Sequence, residues 1–172
     1  MRTDRALKYA PLIREHPDKN RCDISPLLAD AVAFNQLIRD LAAPFRDRPV
    51  TKVVALDALG FILAGAVATH LNVGVALLRK PGKVAWHADS ESFTDYNHQQ
   101  NHFELVTDSL NNHDAVLIVD DWAETGGQLR AAIDLIERHH AQILGIAMIH
   151  IEPTVRADPA FAKYHLHAAI DY

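Results

Sequence analysis

The chain is poor in cysteine. Cys22 stands alone among 172 residues, which excludes an internal disulfide and fits a reducing compartment. Long apolar runs are also missing. The longest, Phe61 to Ala68, is far short of the roughly 20 residues a membrane-spanning helix needs. There is no basic excess: 17 Lys and Arg against 22 Asp and Glu leave a formal charge of −5, a poor footing for a nucleic-acid backbone. Met1-Arg-Thr-Asp-Arg leads into no secretory hydrophobic region, so a cytoplasmic location is expected. No internal repeat or low-complexity tract stands out.

What is present suits a soluble globular protein, with 49% hydrophobic and 23% charged residues. The length suits one domain over 1–172. Residues 1–20 are polar, broken by Pro11 and Pro17, and read as an N-terminal helix or arm. Ser25-Pro26 is a helix-start signal. The helical spacing of Leu27, Leu28, Val32, Leu37, Ile38 and Leu41 then predicts one helix ending near Pro44. Val50 to Leu56 reads as a buried strand, Asp57 to Gly60 as its turn, Phe61 to Leu71 as a helix and Val73 to Leu78 as the next strand. A second unit combines Ala115–Val119, a helix carrying Leu129, Ala132, Ile133 and Ile136, and a strand Ile143–Ile149. Strand–helix–strand units imply a parallel sheet with right-handed crossovers. Ligands of open parallel sheets sit at the carboxyl ends of the strands, where Asp57–Gly60 and Asp120–Gln128 both fall. Between the units, residues 84–105 show no clear periodicity and carry His87, Ser90, Ser92, Asn97, Gln99, Gln100 and Asn101. A polar stretch of that length reads as a lid. Tyr164 to Ile170 alternates as a half-exposed strand.

Residues 116–128 carry the clearest chemistry: Val-Leu-Ile-Val-Asp-Asp-Trp-Ala-Glu-Thr-Gly-Gly-Gln. The carboxylates of Asp120 and Asp121 can accept hydrogen bonds from two vicinal hydroxyls, or hold a metal through water. Gly126 and Gly127 let the backbone approach a phosphate, and free N–H groups at the following helix start can bind it. This is a workable site for a sugar phosphate. The bland alternative is a strand–helix turn with a chance acidic pair. Two carboxylates ending a buried strand repel each other, however, and favour a ligand.

The segment resembles the phosphoribosyl pyrophosphate (PRPP) loop of the type I phosphoribosyltransferases, in which two acidic residues and two variable ones precede Ala-Thr-Gly-Gly-Thr. Asp120-Asp121 match the acidic pair and Thr125-Gly126-Gly127 the phosphate turn; Glu124 and Gln128 replace the usual Ala and Thr. Further collinear segments resemble adenine phosphoribosyltransferase-like proteins: Asp23-Ile-Ser-Pro-Leu-Leu, Gly60-Phe-Ile-Leu-Ala-Gly, Arg79-Lys-Pro-Gly-Lys83, Glu104-Leu-Val-Thr-Asp-Ser-Leu and Ala168-Ala-Ile-Asp-Tyr172. The resemblance implies an α/β fold: a parallel twisted sheet flanked by helices, with a flexible hood over 84–105. It implies a purine-type phosphoribosyltransferase that transfers the ribose 5-phosphate of PRPP to a nucleobase and releases pyrophosphate. Asp120, Asp121 and, in the hood, Asp95 would be catalytic. Ala123, Glu124, Thr125, Gly126, Gly127 and Gln128 would hold the 5′-phosphate beside the acidic pair. Arg79, Lys80 and Lys83, with Leu59 and Gly60, would face the pyrophosphate. Mg²⁺ would be held mainly through PRPP and water, and the molecule would be a homodimer.

Some positions depart from the family pattern. Its acidic–x–Arg–Gly turn places Arg on the pyrophosphate, and here that position is Leu59. The hood's Glu-Tyr-Gly is matched only by Asp95-Tyr96-Asn97, and the purine-contacting segment is altered to Asn20-Arg21-Cys22. The base is therefore left open, as is a second reading: a PRPP- or nucleotide-binding regulator of the same fold without turnover. Trp122 could stack on a base or ribose, or simply pack. Of eleven histidines, His165 and His167 share a strand face, but no third metal ligand stands at suitable spacing. His139-His140 are explained by a helix end. His87, His98 and His102 lie in the lid.

Overall fold

β-Branched and aliphatic runs build the central sheet. In a computed structural model, which describes residues 9–15, 22–95 and 98–170, these runs are β3 (Lys52–Leu56), β4 (Gly74–Leu78), β7 (Ala115–Ala123), β8 (Gln142–Ile151) and β9 (Leu166–Ala168). They pair in the order β4-β3-β7-β8-β9, all parallel. Helix α3 (Leu59–Leu71) carries the chain from β3 to β4, and α4 (Gly127–Arg138) from β7 to β8. The chain leaves β3 toward one edge and β7 toward the other. The boundary between these two strands is thus a topological switch point, where the ends of the strands open a crevice.

Strand alternation divides the core between the two faces. Val53, Ala55, Leu117 and Val119 pack with Leu63, Ala64 and Val67 of α3 and with Leu37, Ile38 and Leu41 of α2 (Ala31–Ala42). Val54, Leu56, Val116 and Ile118 face Leu129, Ala132, Ile133 and Ile136 of α4. No helix among the described residues is long and apolar enough to cross a membrane.

Several expectations change in detail. The single helix expected to run from Ser25 to near Pro44 is two, α1 (Ser25–Ala29) and α2. The break is at Asp30, whose carboxylate accepts from the N–H groups of Val32 and Ala33 at 2.9 Å each, a side-chain cap that restarts the helix. Strand β7 does not end before the acidic pair but runs through it to Ala123, paired with β8 as far as Ile151. Residues 84–105 are not aperiodic. They hold an antiparallel hairpin, β5 (Ala88–Thr94) with β6 (Gln100–Val106), whose Phe93, Phe103 and Leu105 join the core. The hairpin is also gripped from the end of α4. Arg138 pairs with Glu91 and donates to the Ser90 carbonyl at 3.0 Å, and His139 Nε2 lies 2.9 Å from Asp89 Oδ2. Most of the expected arm over 1–20 lies outside the described residues. Within it, β1 (Arg14–Glu15) pairs antiparallel with β2 (Cys22–Asp23), and the Tyr9 hydroxyl donates to buried Asp40 at 2.6 Å. His165 and His167 are committed to packing. His165 sits edge-on to Phe45, and His167 Nε2 lies 2.9 Å from the Asp40 carbonyl oxygen.

Candidate functional site

A cleft of about 360 Å³ opens at the carboxyl ends of β3 and β7, within the size of ordinary small-ligand sites. Asp120, Asp121, Trp122, Ala123, Glu124, Thr125, Gly126 and Gln128 line it from β7 and the turn after it. Asp57, Ala58 and Leu59 line it from the other turn, Lys80 from beyond β4 and Cys22 from β2. Cys22 belongs to the altered purine-contacting segment and Asp57 to the first ligand turn, whereas Leu56, Leu129 and Met148 line the cleft with no signal in the sequence to mark them as site residues. Met148 is there because it is the register partner of Asp120 across β7–β8, which no single-strand pattern reveals.

The two carboxylates are in different surroundings. Asp120 is buried, and burial, with the Asp121 charge beside it, pushes its carboxyl well above the usual carboxylate range. Asp121 is raised too, chiefly by burial, although its Oδ1 accepts the Trp122 N–H at 2.9 Å. Lys80 pulls both the other way. A pair of carboxylates so placed tends to keep a proton, and gains from hydroxyl donors or a cation brought to it.

Gly60 explains how Asp120 fits. A Cβ there would fall 2.7 Å from Asp120 Oδ1 and 3.1 Å from the Val119 carbonyl oxygen, so the first turn of α3 approaches the carboxylate closely only as glycine. Beside it, the Asp57–Ala58 peptide bond is cis. Asp57 Oδ2 lies 3.4 Å from Arg79 Nε and 3.3 Å from the Lys80 backbone nitrogen. The Arg79 guanidinium stands 5.4 Å over the Phe61 ring.

The turn after β7 ends on Gly126 at φ 77°, the left-handed region open to glycine. Helix α4 then starts from this glycine N-cap, with the Gly127 N–H donating to Thr125 Oγ1 at a long 3.4 Å. Its first N–H groups have no carbonyl one turn back, which makes its start an anion site. Trp122 both lines the cleft and packs on buried His150, ring centroids 4.7 Å apart.

Not every expected residue converges on the cleft. Lys80 and Leu59 do, but Arg79, Lys83, Gly60 and Gly127 are absent from its lining, and Arg79 is engaged with Asp57 and Phe61. Asp95 is absent as well. It closes the hairpin tip, with Oδ1 accepting the Gln99 N–H at 3.0 Å. Tyr96, Asn97, Asn20 and Arg21 lie outside the described residues.

This geometry has close counterparts. A family model described as phosphoribosyl transferase domain matches residues 28–168. An adenine phosphoribosyltransferase of Streptomyces galbus is 44% identical over 127 residues, covering 74% of this chain and 69% of the relative. Among solved structures, adenine phosphoribosyltransferase from Rhodothermus marinus superposes with a TM-score of 0.87 at 29% identity, covering 96% of this chain and 97% of that one. The APRTase of Giardia lamblia, complexed with 9-deazaadenine, superposes with a TM-score of 0.88 at 29% identity over 98% of both chains.

Proposed function

The chain belongs to the phosphoribosyltransferase family, and on that premise we propose that it transfers the ribose 5-phosphate of PRPP to adenine with release of pyrophosphate. The observation that carries the reading is one cleft that joins buried Asp120 and half-buried Asp121 to a helix start with glycine at its N-cap. That pairing suits a phosphorylated sugar with a vicinal diol. Relatives whose names specify adenine supply the base. Family membership favours turnover over the regulator reading.

The 5′-phosphate would lie on the backbone of residues 123–128 and the Thr125 hydroxyl. Asp120 and Asp121 would accept from the ribose hydroxyls and set negative charge near C1. As the C1–oxygen bond to pyrophosphate breaks, that bond's electrons leave with the pyrophosphate. N9 of adenine supplies the electron pair for the new C1–N bond, and the N9 proton passes to solvent or an acceptor. Positive charge grows on the sugar meanwhile, so preorganised carboxylates stabilise the transition state more than the ground state. Trp122 would form one wall of the base site. Lys80, which lines the cleft, would meet the pyrophosphate; Arg79 and Lys83 would support it from outside.

No group of three or more His, Cys, Asp or Glu side chains among the described residues converges on a metal position. The hard oxygens of Asp57, Asp120 and Asp121 still fit Mg²⁺ arriving on PRPP, with the carboxylates reached through water. When bound, Mg²⁺ would neutralise part of the pyrophosphate charge.

A homodimer is part of the proposal. Edge strand β4 exposes Val75 and Leu77, 40% and 38% accessible, on the face it shares with α3. Helix α3 adds Ile62 at 49% and Leu59 at 38%. An open edge strand with an apolar flank calls for a cover, and a two-fold copy supplies one at the rim of the cleft. The functional test is pyrophosphate release from Mg-PRPP across a nucleobase panel. Adenine should be used best and pyrimidines should give no product; release with no base, or with none preferred, would overturn the assignment.

A further inference from the structure

The front of the phosphate turn faces the cleft, and its back is filled by a residue the mechanism has not used. A Cβ at Gly126 would fall 2.9 and 3.0 Å from Cε2 and Cζ of Phe161, so a fully buried aromatic ring lies directly behind the left-handed residue that ends the turn. Phe161 closes the short 3-10 turn Pro159–Phe161, which Asp158 starts by accepting the Ala160 N–H at 2.9 Å. The other Asp158 oxygen pairs with Arg130. The Arg130 guanidinium stands 4.8 Å from the centroid of the Phe161 ring, and the Arg130 N–H donates to the Gly126 carbonyl at 2.9 Å. The contacts thus close on themselves: Gly126 against Phe161, Phe161 under Arg130, Arg130 to Asp158, and Arg130 back to Gly126. On another side, a Cβ at Gly127 would meet the Thr94 carbonyl oxygen at 2.6 Å. Neither Phe161, Arg130 nor Asp158 lines the cleft.

We propose that Phe161, held by the Arg130–Asp158 pair, is a positioning residue that fixes the phosphate turn for the 5′-phosphate of PRPP. The inference rests on the functional reading above. A turn ending in two glycines has no side chains of its own at that point to hold its shape, and glycine loses more conformational freedom on ordering than any other residue. Binding a phosphate through backbone N–H groups requires those groups to be aimed beforehand, or affinity is lost to the cost of ordering them. A ring clamped behind Gly126 restricts the turn before the ligand arrives. The cation above that ring adds an attraction strongest for an aromatic partner.

The test uses the full chain with Phe161→Ala, Phe161→Leu and Arg130→Met. PRPP kinetics are measured alongside calorimetric titrations with ribose 5-phosphate and with Mg-pyrophosphate. Phe161→Ala should raise KM for PRPP about tenfold and weaken ribose 5-phosphate by a similar factor, while kcat changes by less than about threefold. Pyrophosphate, which makes no use of this turn, should bind as before. Phe161→Leu should recover part of the loss. Arg130→Met changes an exposed pair, so it carries the test should Phe161→Ala fail to fold; KM for PRPP should rise about threefold. Unchanged ribose 5-phosphate affinity in folded variants would overturn the proposal. Equal loss for pyrophosphate would do the same, since it would indicate general loosening. A wild-type protein that binds neither PRPP nor ribose 5-phosphate would instead overturn the functional reading.

Discussion

Replacing Gly60 by alanine isolates the placement of one carboxylate. The added methyl would sit 2.7 Å from Asp120 Oδ1 and 3.1 Å from the Val119 carbonyl oxygen. Ordinary carbon–oxygen contacts are about 3.3–3.6 Å, so the carboxylate must retreat by roughly 0.5–1 Å. A displacement of about 1 Å at a reacting centre can cost about 10²-fold in rate. Alanine, meanwhile, favours the helix by about 0.5–1 kcal/mol over glycine, which offsets part of the clash in the folding equilibrium. The expected result is kcat/KM lowered about 10²-fold with a melting temperature within a few degrees of wild type. Gly65 provides the control in the same helix, because a Cβ there meets nothing within 4 Å. Gly65→Ala should stabilise the protein and leave turnover unchanged. Steady-state kinetics and thermal melts on both variants make the measurement. Wild-type kcat/KM in a folded Gly60→Ala would refute the claim that catalysis needs Asp120 where it stands.

The raised carboxyl of Asp120 implies that ionising it costs stability in the folded chain. Asp120→Asn should therefore raise stability near pH 7 by on the order of 1–3 kcal/mol while abolishing turnover. A group raised in the folded state contributes its full stability below the unfolded value of 3.8 and loses it as pH climbs through the folded one. The advantage of Asn should thus fade as pH falls toward 4, and melts that show no gain at pH 7 would contradict this. Leu59 lines the cleft and offers no hydrogen bond to a pyrophosphate. Leu59→Arg should tighten PRPP binding by roughly 1–3 kcal/mol and affect AMP much less, as titration of both ligands would show; unchanged PRPP binding would mean this turn does not face the pyrophosphate. Ile62→Asp should shift a wild-type dimer toward monomer in sedimentation at micromolar concentration, and a monomeric wild type would remove the dimer from the account.

The alternating strand–helix pattern placed the sheet, its parallel sense and both turns that line the cleft, because period and length are local properties of the chain. Asp120, Asp121 and the Thr125–Gly127 turn were legible for the same reason: they are contiguous. Four features were not. Asp30 splits a helix whose apolar spacing runs on unbroken, because one side-chain cap outweighs periodicity. The 84–105 hairpin hid because its outer face is polar, while Phe93, Phe103 and Leu105 reach a core made by distant segments. Nothing local marks Asp57 as the partner of Arg79, 22 residues later; such pairing depends on β3–β4 register. Phe161 behind Gly126 lies 35 positions away, and only the folded chain brings them together.

The most direct test of the account is calorimetric titration of Mg-PRPP into wild type and the Asp120→Asn, Asp121→Asn double variant. Charge-assisted hydrogen bonds contribute roughly 1.5–3 kcal/mol each, so the double variant, folded and at least as heat-stable as wild type, should bind PRPP at least about tenfold more weakly. Wild-type affinity in that variant would mean the acidic pair at the end of β7 does not hold the ribose, and the assignment of the cleft would fall with it.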